Sequence, residues 1–116
     1  MIRPDPKATV YLYADPVDMR KSIDGLAALV EQEKALSPFS PALFVFCNRG
    51  RDKIKLLYWE RNGFVLWYKR LEKFRFCWPG SELPLPLNGE QLNRLLDGYD
   101  LRPQAPHPVL RYSQIG

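Results

Sequence analysis

The alternation of hydrophobic and polar positions is clearest on the two sides of Asn62-Gly63. The flanking runs, residues 53–59 and 64–70, are rich in aromatic and branched aliphatic residues. Asn-Gly between two such runs is a strong signal for a β-hairpin, because both residues tolerate a positive φ. We therefore predict a hairpin at the centre of a sheet.

The two-residue period of a strand sorts the hairpin side chains onto two faces. One predicted face mixes charged, tyrosyl and aliphatic side chains: Lys55, Leu57, Leu66, Tyr68 and Arg70. The other predicted face is more apolar and holds Ile54, Leu56, Tyr58, Val65 and Trp67. The apolar face is expected to pack against helices.

Shorter patterns predict the remaining elements. Further strands are expected at residues 9–13, 43–47 and 75–78, the second of them buried on both faces. Apolar residues at helical spacing predict two helices, and the residues concerned are Ile23, Leu26, Ala27 and Val30 for the first and Leu92, Leu95 and Leu96 for the second. Asn88 with Gln91 predicts the start of the second helix, and Gly98 its end.

These elements predict a single α+β domain over residues 1–101. Its sheet is expected to be twisted and mostly antiparallel, with about five strands and with two helices on one face. The alternative is a small closed or half-open β-barrel with the helices at its ends. Residues 102–116 contain three prolines and are predicted to form a C-terminal tail.

Basic charge is concentrated in one part of the chain. The net charge is +4, yet residues 49–75 hold nine Lys or Arg against three Asp or Glu. That segment is therefore +6 and the rest of the chain is −2. Basic side chains interleaved with aromatic rings are typical of nucleic-acid surfaces, where charge meets phosphate and rings stack on bases. The alternative is a solvated sheet face whose lysines prevent edge-to-edge aggregation.

The basic and aromatic residues of this segment are the first candidate nucleic-acid-binding residues. They are Arg49, Arg51, Lys53, Lys55, Trp59, Tyr68, Lys69 and Arg70. The turn at residues 48–52 carries two of the arginines and is interpreted as a phosphate-binding loop, with a plain basic turn as the alternative.

No set of residues predicts catalysis. Asp15 and Asp18 are close enough in sequence to share a metal ion, but a turn with a local salt bridge to Arg20 is the commoner explanation of such a pair. Cys47 and Cys77 lack CxxC spacing and are expected to be buried free thiols. We therefore expect a protein that is not an enzyme, with no catalytic residue, bound metal or cofactor.

Nothing in the hydropathy pattern predicts a membrane protein. No apolar run approaches eighteen residues, and the N-terminal residues lack the apolar core of a signal peptide. A cytoplasmic protein with no membrane partner is the expectation.

Several motifs, in order, resemble a known family. They are Pro16-Val17-Asp18-Met19-Arg20-Lys21 followed by residues 23–26, then residues 44–46 with Asn48-Arg49, Lys55-Leu56-Leu57 with Trp59, Lys69-Arg70-Leu71-Glu72 with Phe76 and Trp78-Pro79, and residues 95–100. The chain resembles the small accessory proteins called TnpB of the insertion-sequence-66 family of bacterial transposable elements. It departs from the family at Phe74, where a glycine suited to a tight turn is usual.

The resemblance implies an accessory protein that assists transposition beside a larger transposase. It adds Arg20 and Lys21 to the candidate site. Arg20 is expected near the face that bears Lys55 and Arg70, with Asp18 orienting its guanidinium. DNA is the expected partner through the basic and aromatic sheet face. The alternative is an adaptor that contacts the transposase of the same element and never DNA, and the oligomeric state is left open.

Overall fold

A computed structural model describes residues 2–33, 36–81, 83 and 86–102. In chain order the elements are β1 (Thr9–Leu12), α1 (Ile23–Glu31), β2 (Leu43–Cys47), β3 (Lys53–Glu60), β4 (Gly63–Arg70), β5 (Leu87–Asn88) and α2 (Gly89–Leu96). Apart from Arg102, the predicted tail lies outside the described residues.

The five strands form one sheet in the order β4-β3-β2-β1-β5. Strands β1 and β2 are parallel, and every other neighbouring pair is antiparallel. Helix α1 makes the connection between the parallel strands, since two parallel neighbours cannot be joined by a tight turn. The α+β class and the mostly antiparallel sheet are thus confirmed.

The predicted sorting of the hairpin is correct, although its turn lies one residue earlier than predicted. Lys55 lies opposite Tyr68, and Leu56 lies opposite Trp67. Glu60 pairs with Gly63, so the loop is Arg61-Asn62, and Gly63 belongs to β4. The positive φ falls on Arg61, at 53°. Because this loop also has two residues, the pairing of odd with even positions is preserved.

The two helices lie on opposite faces of the sheet, and the expectation of both on one face is wrong. Leu26 and Val30 of α1 pack against the face that carries Phe44. Leu92 and Leu95 of α2 pack in the cluster on the other face. All five residues of β2 are buried, so each face of the central strands needs its own apolar cover.

Residues 75–78 do not form the predicted strand. They cross the α2 side of the sheet, where Phe76 and Trp78 are buried in the core. The Phe76 N–H donates to the carbonyl of Arg51 over 2.7 Å. The apolar alternation of this segment therefore reflects burial against the sheet and not pairing within it.

Helix α2 is capped as predicted and holds the N-terminal residues in place. Asn88 and Gln91 exchange side-chain to backbone hydrogen bonds of 2.8 and 2.9 Å. Arg3 pairs with Asp97 at 2.8 Å, and Asn93 donates to the carbonyl of Pro4 at 3.0 Å.

None of the helices in the described part of the chain is long and apolar enough to cross a membrane.

Candidate nucleic-acid interface

A groove of about 610 Å³ opens beyond the carboxyl ends of β1 and β2. Its walls are the turn at residues 16–20 and the turn at residues 48–50, and Lys53 and Tyr68 complete its lining. Parallel neighbouring strands end at the same edge of a sheet, so the turns that follow them lie side by side. A hydrogen bond of 2.9 Å from the Val17 N–H to the carbonyl of Cys47 joins the two turns.

Asp18 fixes the guanidinium of Arg20 at the rim of this groove. The Arg20 Nε lies 3.0 Å and the Nη2 lies 2.7 Å from Oδ2 of Asp18. Asp18 Oδ1 also accepts from the backbone N–H of Arg20 at 2.9 Å. These hydrogen bonds, the side-chain ones first, lower the pKa of Asp18 to about 2. The Arg20 side chain is still 91% exposed, and no other described residue binds it.

Lys55 of β3 binds the backbone of the turn that carries Arg20. Its Nζ donates to the carbonyls of Met19 and Lys21 over 2.7 and 2.8 Å, and it lies 5.8 Å from the centre of the Tyr68 ring. The turn that carries Arg20 therefore sits against the sheet face of Lys55 and Tyr68. This is the face on which Arg20 was expected.

Asn48 organises the second turn. Its Oδ1 accepts from the backbone N–H groups of Asp52 and Lys53 at 3.1 and 3.0 Å. Its Nδ2 donates to Asp52 Oδ1 at 2.7 Å, and this bond is the main reason why the pKa of Asp52 is lowered. The Arg49 side chain is left exposed between the two turns and makes no ion pair with another described residue.

Two further cations lie on the same sheet face beside the groove. Lys53 and Arg70 are opposite each other in the ladder between β3 and β4. Lys53 makes a long contact of 3.4 Å with Asp52, and Arg70 makes a two-pronged contact of 2.9 and 3.1 Å with Glu72. Tyr68, which lies opposite Lys55 on the same face, is 50% exposed, so one part of its ring is open to solvent.

Three of the candidate residues point elsewhere. Lys69 donates to the carbonyl of Leu96 at 3.0 Å and so caps α2 on the opposite face. Arg51 turns inward beside the buried Cys47 thiol, and its Nη1 is buried without a hydrogen-bond partner. Trp59 packs on Phe39 and Phe64 towards the hairpin turn, with ring centroids 5.1 and 5.0 Å away. Lys21 is exposed next to Arg20.

Comparison with known proteins shows the family of this chain. Residues 8–106 match the family model of IS66 Orf2 like proteins. The chain belongs to this family. The resemblance found in the sequence motifs is thereby confirmed, and an accessory role in an insertion sequence follows from it.

Two relatives span almost the whole chain of this IS66 Orf2-like protein. The uncharacterized protein y4jC of Sinorhizobium fredii is 29% identical over 99% of both chains. The uncharacterized protein y4hO of the same organism is 32% identical over 92% of both chains. No solved structure matches.

Sequence reasoning missed one part of this IS66 Orf2-like protein that adjoins the groove. The loop at residues 71–75 lines a second depression together with Asn48, Gly50 and Lys53, which also line the groove. Its exposed residues are Glu72, Lys73, Phe74 and Arg75. The available signal was Phe74, because it replaces a glycine that the resemblance leads one to expect.

The described residues hold no cluster of metal-binding side chains. No three His, Cys, Asp or Glu side chains among them form a group that could hold a metal ion. Asp15 and Asp18 therefore have no third ligand in the described part of the chain. Asp18 is instead bound to Arg20.

Proposed function

We propose that this accessory protein assists transposition by binding DNA in the groove, without catalysing a reaction itself. The observation that carries the proposal is the Arg20 guanidinium, which a carboxylate holds along one edge while the side chain stays 91% exposed. A guanidinium held in this way keeps further N–H donors for a phosphate and has already lost much of its conformational freedom.

The charges around the groove support the proposal. Arg20 and Arg49 lie on the two facing turns. Lys53 of β3 and Arg70 of β4 lie opposite each other in the sheet. Such a basic concavity attracts a phosphate backbone. Asp18 and Glu72 reduce the local charge but leave exposed donors on both arginines. The exposed ring of Tyr68 offers a stacking surface for a base.

Fluorescence anisotropy with labelled duplexes from the element ends tests this function. If Arg20, Arg49, Lys53 and Arg70 each neutralise a phosphate, the logarithm of the affinity should fall against the logarithm of salt with a slope of about −4. Arg20→Ala should weaken binding and make that slope shallower by about 1. The melting temperature should stay nearly unchanged, because the side chain is exposed.

Lys7→Ala is the matched control. It removes the same charge, but Lys7 precedes β1, at the end of the strand away from the groove. Equal losses in the two variants would show that only net charge matters and would contradict binding in the groove. So would a wild-type protein that binds neither duplex nor single-stranded DNA at low salt.

A second function is favoured by the aromatic cluster of Phe39, Trp59 and Phe64. Phe39 is 57% exposed although it contacts both other rings. An exposed aromatic group of this kind fits a contact with the transposase. Phe39→Ala should then reduce capture of the purified transposase, with little dependence on salt, while DNA binding is unaffected. Loss of DNA binding in Phe39→Ala would contradict this division between two surfaces.

A further inference from the structure

Phe74 combines two properties that rarely occur together. The residue is 88% exposed, and its φ is +64°. A positive φ is uncommon for any residue other than glycine and is unfavourable for a bulky one. Burial of the ring does not compensate for this backbone conformation, because the ring lies in solvent.

The loop that carries Phe74 is held firmly on both sides. The Leu71 N–H donates to the carbonyl of Asp52 at 2.8 Å, and the Phe76 N–H donates to the carbonyl of Arg51 at 2.7 Å. Arg75 Nη1 donates to the carbonyl of Gly50, also at 2.7 Å. All three acceptors belong to the turn at residues 48–52, whose residues 48–50 form one wall of the groove. The ring is thus presented on an anchored loop in a defined position.

The residues next to the Phe74 ring in sequence are cations, which suit a contact with DNA. Lys73 precedes Phe74 and is exposed, and Arg75 follows it. The depression that these three residues line shares Asn48, Gly50 and Lys53 with the groove. A duplex whose phosphates contact Arg49 and Lys53 would therefore extend towards the ring. An apolar side chain flanked by cations is the arrangement with which proteins pry apart two stacked bases while holding the phosphates beside them.

We propose that Phe74 inserts between two neighbouring bases of DNA bound in the groove, acting as a wedge that opens one base step. This inference rests on the proposed function and adds the form of DNA that is preferred. Steps that unstack easily, such as TA and CA/TG, should be bound more tightly than stiff A-tracts. A mismatched or nicked step should be bound more tightly still, since less stacking is lost.

Duplexes with 2-aminopurine at a central TA step test the wedge, because this base fluoresces more strongly when it is unstacked. Wild-type protein should increase the fluorescence on binding. Phe74→Gly should abolish the increase and weaken binding about tenfold, within the range found for loss of one base–aromatic contact. Phe74→Leu should retain part of the increase, because leucine also serves as a wedge.

Phe74→Gly should keep or raise the melting temperature, since glycine adopts this φ freely. Arg61→Gly is the matched control. It places glycine at the other end of the hairpin, where φ is +53°, and should leave the fluorescence increase intact. A structural role for Phe74 would instead lower the melting temperature in Phe74→Gly.

Failure of the wedge and failure of DNA binding give different results. If wild-type protein binds with the expected salt dependence but does not change the fluorescence, the wedge is wrong and the proposed function stands. The same holds if Phe74→Gly gives the wild-type signal. If wild-type protein binds no DNA, both are wrong.

Discussion

Lys55 Nζ lies 2.7 Å from the main-chain carbonyl oxygen of Met19, thirty-six residues earlier in the chain. A second bond of 2.8 Å reaches the carbonyl of Lys21. The two acceptors flank Arg20, so one ammonium group connects β3 to the turn that positions the arginine. Lys55, which was expected to contact phosphate, therefore binds the backbone of the turn that carries Arg20 and stabilises that turn.

Lys55→Met should reveal this task. The substitution keeps the apolar stem and removes two hydrogen bonds from a charged donor, which are worth about 1.5–3 kcal/mol each in favourable cases. Partial exposure reduces this, so we expect a loss of about 1–3 kcal/mol in the free energy of unfolding, measured by urea denaturation. DNA affinity should fall as well. Unchanged stability with weaker binding would show instead that Lys55 acts mainly on the ligand.

Asp18 should titrate far below an ordinary aspartate. Its pKa is lowered from 3.8 to about 2 by the Arg20 guanidinium and backbone N–H. The contribution of the pair to stability is therefore complete above about pH 3.8 and is lost as the pH falls through 2, and it is small because the carboxylate is exposed. Carboxyl NMR titration should show this midpoint. In Arg20→Ala the midpoint should rise part of the way to 3.8, because the backbone hydrogen bond remains. A wild-type midpoint near 3.8 would contradict the pairing.

Gly89→Ala should destabilise the protein. A Cβ at this position would overlap the carbonyl oxygen of Asp5, so the N-terminal segment would have to move away from α2. That movement would also strain the 3.1 Å bond from the Glu90 N–H to the carbonyl of Pro6. We expect a loss of about 1–3 kcal/mol by urea denaturation. Gly63→Ala is the control, because nothing lies within 4 Å of a Cβ there.

The two thiols should differ in reactivity. Cys47 is fully buried, and burial raises its pKa to about 11 despite the nearby Arg51. Cys77 is half-buried, and its Sγ donates a hydrogen bond of 3.5 Å to the carbonyl of Gly98. At pH 8 a thiol reagent should therefore modify Cys77 in the native protein and both cysteines in denaturant. Rapid reaction of native Cys77→Ser would show that Cys47 is accessible.

The features that sequence predicted correctly are local. Asn88 and Gln91 form a capping box three residues apart, and the hairpin faces follow from a two-residue period around a short turn. The burial of β2 also follows from its continuous apolar run. In each case the residues that make the pattern are the residues that interact.

The features that sequence did not predict depend on distant partners. The apolar stripe of α1 or α2 shows which side of the helix is buried, but both faces of the sheet offer apolar residues to receive it. The position of the Lys69 side chain depends on its hydrogen bond to the carbonyl of Leu96. The position of the Phe76 ring depends on its packing in the core between the sheet and α2. A long cationic side chain binds whichever acceptor the fold brings within reach, and its own neighbours in sequence do not determine that acceptor.

The parallel pairing of β1 and β2 has a consequence for the evolution of these accessory proteins. Val10 and Leu43 are about thirty residues apart in sequence, yet they are paired on neighbouring strands. The length of the connection between α1 and β2 can then change without moving either turn, whereas one residue gained or lost between Asn48 and Lys53 would break three hydrogen bonds of Asn48. Insertions and deletions among relatives should accordingly gather before β2 and be absent from the five residues that follow Asn48.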